Sequence, residues 1–158
     1  MRRTTLSIFN TMVNPSDQTI LVTGATGFVA TQVIKTFLNS GYKVRGTVRS
    51  DASAQACREI FPDAGDRLSF AIVPDIAAPN AFHEALKDND IDGCLHLASP
   101  FTFAAKDNEK DLLLPAINGM LNLLKAVKDN APRVKRVVAT SSFAAVLTVT
   151  EGMRPGYT

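Results

Sequence analysis

The stretch Ile20-Leu21-Val22-Thr23-Gly24-Ala25-Thr26-Gly27-Phe28-Val29-Ala30 constrains this chain more than any other. An apolar run ends in Thr-Gly, a second glycine follows three residues on, and an apolar pattern with helical spacing then begins. A strand, a tight turn and a helix start are compressed into this one segment. Gly24 frees the chain to turn sharply, and Gly27 lets backbone or ligand approach closely. The N–H groups and the positive end of the following helix suit a pyrophosphate. The spacing is G-x-x-G-x-x-A rather than G-x-G-x-x-G, and a strand-to-helix turn without any ligand would use the same glycines. Gly24, Ala25, Thr26, Gly27, Phe28 and Val29 are the candidate ligand-facing residues of this turn.

The rest of the chain narrows the choices. Its 158 residues fit one domain with an ample core, and a net charge of +2 points away from a nucleic-acid partner. No apolar run reaches transmembrane length, so no membrane partner is expected. Cys57 and Cys94 lie far apart and His83 and His96 lack clustered ligands, so no metal is expected; buried thiols in a reducing cytoplasm are the default. Residues 1–11 carry two arginines, several Ser/Thr and no acid. They read as an appendage ahead of a start at Met12, with only a faint likeness to a mitochondrial transit peptide.

Strand and helix alternate along the sequence. Strands are expected at about Thr19–Thr23, Tyr42–Val48, Leu68–Val73, Ile91–Ala98 and Val134–Thr140. Helices are expected at about Gly27–Asn39, from Ser50-Asp51 to Ile60, at Asn80–Lys87 and at Asn108–Asn130. The first helix presents Phe28, Val29, Val33, Ile34, Phe37 and Leu38 as its apolar face. The last presents Leu112, Leu113, Ala116, Ile117, Met120, Leu121, Leu124 and Val127, with a kink expected at Pro115. The fifth strand, apolar throughout, reads as buried. The fold class is α/β: a Rossmann-type, doubly wound parallel sheet with helices on both faces and a ligand crevice at the strands' C-terminal ends.

At those ends stand Gly24, Arg49, Asp75, Ala98-Ser99 and Ser141-Ser142. An NAD site usually ends strand two with an acid, an NADP site with a nearby arginine. Here strand two ends Gly46-Thr47-Val48-Arg49, and Arg49 suits a 2′-phosphate, so NADP(H) is expected; the plain alternative is a solvated loop charge. Asp75 suits the adenine amino group, or a cap for the following helix, or both. His96 lies inside strand four and reads as a hydrogen-bonded interior histidine.

Six motifs follow in order: Thr23 to Val29, Val44-Arg45-Gly46-Thr47-Val48-Arg49, Val73-Pro74-Asp75-Ile76, Leu95-His96-Leu97-Ala98-Ser99-Pro100, Ala116-Ile117-Asn118-Gly119, and Val134 through Ser142. Together they resemble the extended short-chain dehydrogenase/reductases, over about Thr19 to Val146. The branch is similar to the dihydroflavonol reductases, cinnamoyl-CoA reductases and fungal methylglyoxal/aldehyde reductases. The resemblance implies hydride transfer from NADPH to an aldehyde or ketone, with Ile76 and Ala98 joining the cofactor-binding set. It implies a catalytic Ser at Ser142, with Ser141 as runner-up; both serines could equally satisfy backbone groups at a strand end. Some relatives carry a lysine on the helix after Arg49, where Ser53 and Ala56 stand here and Arg58 could substitute.

The resemblance also calls for Tyr-x-x-x-Lys, and no such motif is present: Tyr157 is followed only by Thr158. The chain therefore reads as the N-terminal half of a reductase. Residues 1–17 form an extension, 18–150 an incomplete NADP-binding domain, and 151–158 the start of the other half. A non-catalytic NADP-binding fragment or sensor is the alternative, and a sugar-nucleotide epimerase or dehydratase is disfavoured by Arg49. Fifth-strand residues without a neighbour would leave an apolar sheet edge open to self-association.

Overall fold

The computed structural model describes residues 14–87, 90–100 and 104–142. Strands β1 (Thr19–Val22), β2 (Lys43–Val48), β3 (Leu68–Ile72), β4 (Ile91–His96) and β5 (Arg136–Ala139) alternate with helices α1 (Phe28–Asn39), α2 (Asp51–Ile60), α3 (His83–Leu86) and α4 (Leu114–Asn130). All pairings are parallel, in the order β3-β2-β1-β4-β5. The chain builds outward from β1 to β3, then crosses back to β4, so the order reverses between β1 and β4. A crevice opens at such a reversal, because the two connections leave to opposite faces.

The alternation of β1 side chains divides the core. Ile20 and Val22 face α1 and α2, packing with Ala30, Ile34, Leu38, Ala54 and Cys57. Leu21 faces α3 and α4, packing with Ala85, Leu86, Leu123, Ala126 and the fully buried Phe82. Cys57 and Cys94 are free and buried, and burial pushes the Cys94 thiol up to about 12. At the far edge from the crevice, the β1–β4 register shifts between Thr19 and Ile20. Asp92 fills the shift: its carboxylate accepts from Thr19 N at 2.9 Å and from the Arg133 guanidinium at 3.0 and 2.7 Å.

Several expectations are corrected. In α1 the core face is Ala30, Ile34 and Leu38, whereas Phe28 and Val29 are 87% and 56% exposed. They sit at the helix start, beyond the end of the strand they would have to cover. Helix α3 has four residues rather than the expected Asn80–Lys87, because Asn80 takes a left-handed conformation (φ 59°) that ends any helix through it. In α4 the buried residues are Gly119, Leu123 and Ala126, while Ile117, Leu121 and Leu124 face outward. Small side chains let this helix lie close on the sheet, leaving the larger apolar ones exposed. Pro115 stands in the first turn of α4, directly after a π-helical turn at Glu109–Leu113. Strand β5 is not buried: Val138 is 53% exposed, as befits the sheet's outer strand among the described residues.

Candidate functional site

A crevice of about 640 Å³ opens at the C-terminal ends of β1 to β4. Its floor is the turn after β1. Gly24 adopts φ +67°, and a Cβ there would stand 3.1 Å from the Ala98 Cβ, so both the turn and the approach to β4 require glycine. Gly27 N donates to Gly24 O at 2.9 Å and closes the turn. A Cβ on Gly27 would lie 3.2 Å from that same oxygen. Helix α1 then begins at Phe28 with no side-chain cap. Its first amides and the positive end of its dipole are thus left for a ligand oxygen.

Two buried threonines hold this turn. Thr47, on β2, accepts from Gly24 N through its hydroxyl at 3.2 Å and from Ala25 N through its carbonyl at 2.9 Å. Thr23 accepts from Leu97 N and Ala98 N, both at 3.0 Å, and its Oγ1 lies 3.0 Å from His96 Nδ1. His96 is buried, edge-on to Phe82, and burial holds its pKa below the ordinary imidazole value. It is the interior, hydrogen-bonded histidine expected from the sequence.

The walls come from three strand ends. Arg49 and Ser53 stand on the β2–α2 side. Arg49 is exposed and makes no ion pair with another described residue; Ser50 caps α2 by accepting from Ser53 N at 3.3 Å. Arg58 is engaged elsewhere, its guanidinium 5.1 Å from the Phe70 ring centroid, and it does not join Arg49 at the crevice. Asp75 and Ile76 form the wall after β3, and Leu97 to Pro100 the wall after β4. Asp75 does not cap α3, which begins eight residues later; its Oδ1 accepts from Ala77 N at 2.8 Å in a local turn.

Of the residues expected at the site, Gly24, Thr26, Gly27, Arg49, Asp75, Ile76 and Ala98 line one crevice. Ala25 is fully buried, its Cβ against Gly46 beneath the floor. Phe28 and Val29 stand exposed at the helix start. Ser142 follows β5, is exposed, and does not line the crevice; Tyr157 lies outside the described residues. Thr23, Thr47 and Asn122 hold the site in ways that the sequence motifs do not specify. Thr47 carried the one available signal, a hydroxyl inside an otherwise apolar strand end.

Residues 20–155 match the family model described as the NAD dependent epimerase/dehydratase family. The chain belongs to that family. Among curated relatives, this family member is 44% identical over 135 residues to a putative NADPH-dependent methylglyoxal reductase of Candida albicans, covering 83% of this chain and 40% of the relative. It is 38% identical over 141 residues to the dihydroflavonol 4-reductase of Zea mays, covering 88% of this chain and 38% of that one. Among solved structures, yeast methylglyoxal/isovaleraldehyde reductase Gre2 complexed with NADPH superposes with a TM-score of 0.79 at 40% identity, over 84% of this chain and 40% of that one. The epimerase/dehydratase chain thus spans about two fifths of the relatives it matches. Among the described residues, no helix is long and apolar enough to cross a membrane, and no cluster of three metal-binding side chains occurs.

Proposed function

We propose that the chain is the cofactor-binding part of an NADPH-dependent reductase that acts on an aldehyde or ketone. One observation carries the reading: the bare glycine turn, the uncapped start of α1 and the exposed Arg49 guanidinium share a single crevice. Its residues fit a dinucleotide in chemistry as well as shape. The Thr26 amide and the uncapped amides that open α1, at Phe28 and Val29, suit the pyrophosphate, Arg49 the 2′-phosphate, and Asp75 with Ile76 the adenine. Ala98 is left for the nicotinamide half. The NADPH-dependent Candida relative and the NADPH bound in the yeast reductase support the same choice.

Bound NADPH would supply the hydride. The protein's part is to hold the carbonyl and stabilise the charge that develops on its oxygen. Ser142 is the hydroxyl assigned to that oxygen. The alternative reading is an NADP-binding module without turnover.

The test is a fluorescence titration with NADPH and NADH. NADPH is expected to bind about tenfold tighter or more, and Arg49→Ala to erase that difference while leaving NADH binding unchanged. Equal NADPH affinity before and after the substitution overturns the reading. Oxidation of bound NADPH on adding a small aldehyde separates the reductase from the silent module.

A further inference from the structure

The wall that carries Asp75 and Ile76 is not held by its own strand. Helix α4 reaches across and grips it. The Asn122 amide nitrogen donates to Ile76 O at 3.0 Å and to Ala78 O at 2.8 Å. Both partners are carbonyls, so only the NH2 end of the amide satisfies them, and both of its protons are used. One turn earlier on the same helix, Gly119 presents bare backbone to Ile76. A Cβ there would fall 2.8 Å from Ile76 Cδ1 and 3.0 Å from Cγ1. The segment is also braced from within, by Ala77 N on Asp75 Oδ1 at 2.8 Å and Ala78 N on Asp75 O at 3.3 Å. With Oδ1 committed to Ala77, the Asp75 carboxylate cannot swing freely; its direction follows the placement of the Ile76–Ala78 backbone.

We infer that Asn122, with Gly119, is a positioning residue for base recognition: it fixes the Asp75–Ile76 wall so that the carboxylate meets the exocyclic amino group of adenine. This rests on the reading that the crevice takes NADPH, and it adds that the base is read through α4, on the far side of the wall from the ligand. Replacing adenine by hypoxanthine exchanges the amino donor for a carbonyl oxygen, which a carboxylate repels. A correctly held Asp75 therefore discriminates between the two bases, and a loosened one does not.

The experiment measures dissociation constants of NADPH and its hypoxanthine analogue on the 158-residue chain and on Asn122→Leu, which keeps the branching at Cγ and removes both donors. The ratio of the two constants is the readout, because a merely structural loss weakens both ligands alike. The wild-type chain is expected to prefer NADPH about tenfold, and Asn122→Leu to bring the two within about twofold. Should Asn122→Leu fail to fold, Gly119→Ala reads the same ratio by displacing Ile76. A variant that keeps the full preference, or a wild-type chain that binds both analogues equally, overturns this inference alone. A wild-type chain that binds neither overturns the NADPH reading and this inference together.

Discussion

The Thr23 hydroxyl oxygen stands 3.0 Å from His96 Nδ1 while accepting the amides of Leu97 and Ala98 at the same distance. Two acceptances fill its lone pairs, so its own proton goes to Nδ1. His96 is therefore neutral, with its proton on Nε2. A proton on Nδ1 would confront the hydroxyl with a third donor and dislodge one of the two amides that shape the crevice wall.

This arrangement ties stability to pH. Burial depresses the folded-state pKa of His96, whereas the unfolded imidazole titrates near its ordinary value, about 6.5. Below that pH the unfolded chain takes up the proton first, so stability is full above about pH 6.5 and declines as pH falls, by at most about 1.4 kcal/mol per pH unit. His96→Asn keeps an acceptor for Thr23 without titrating. Urea midpoints measured from pH 8 down to 5 are expected to slope less in His96→Asn; parallel slopes contradict the account.

Thr23→Val keeps the shape and removes the oxygen. It leaves the Leu97 and Ala98 amides without their acceptor, at a cost of about 1–3 kcal/mol. Chemical denaturation gives the loss, and amide exchange at Leu97 and Ala98 is expected to rise more than in β2.

Gly46→Ala tests the floor. The added Cβ would meet the Ala25 Cβ at 2.8 Å and the Phe70 ring at 3.0 Å, in the middle of a sheet where neither neighbour retreats easily. Overpacking of this kind costs about 1–3 kcal/mol. Because Ala25 underlies the glycine turn, NADPH affinity is expected to fall as well; unchanged melting and binding would show that the sheet yields.

The outward apolar stripe of α4, with Ile117 at 43% and Leu121 at 45% exposure, adjoins a sheet whose outer strand shows Val138 at 53%. Such surface favours association. Sedimentation of the 158-residue chain is expected to show species larger than a monomer, shifted toward the monomer by Leu121→Lys together with Val138→Lys. A monodisperse monomer at high concentration refutes this.

What the sequence made legible was the local part of the design. The glycine turn, the strand ends and the order of elements follow from spacing and punctuation that act over a few residues, and they place Gly24, Arg49 and Asp75 on one crevice. The Thr23–Ala98 and Asn122–Ile76 bonds join residues 75 and 46 positions apart, and no local pattern announces them.

Helix α4 shows a different reason for misreading. Periodicity selects the more apolar face, Ile117, Leu121 and Leu124, but the buried side is Gly119, Leu123 and Ala126: the bare Gly119 lies against Ile76, while Leu123 and Ala126 pack into the core with Leu21. Asp75 misleads in a third way. A carboxylate before a helix suggests a cap, yet the left-handed Asn80 delays the helix and Asp75 turns back on Ala77 instead.

Arg58 lies on the Phe70 ring, so Arg49 is the only basic side chain among the described residues lining the crevice. A lone exposed guanidinium is vulnerable to ionic strength: mobile ions screen such a charge over about 8 Å at physiological salt and about 3 Å at molar salt. Coenzyme choice in this chain is accordingly expected to depend on the medium as well as on the fold, sharp in dilute buffer and blunted in brine.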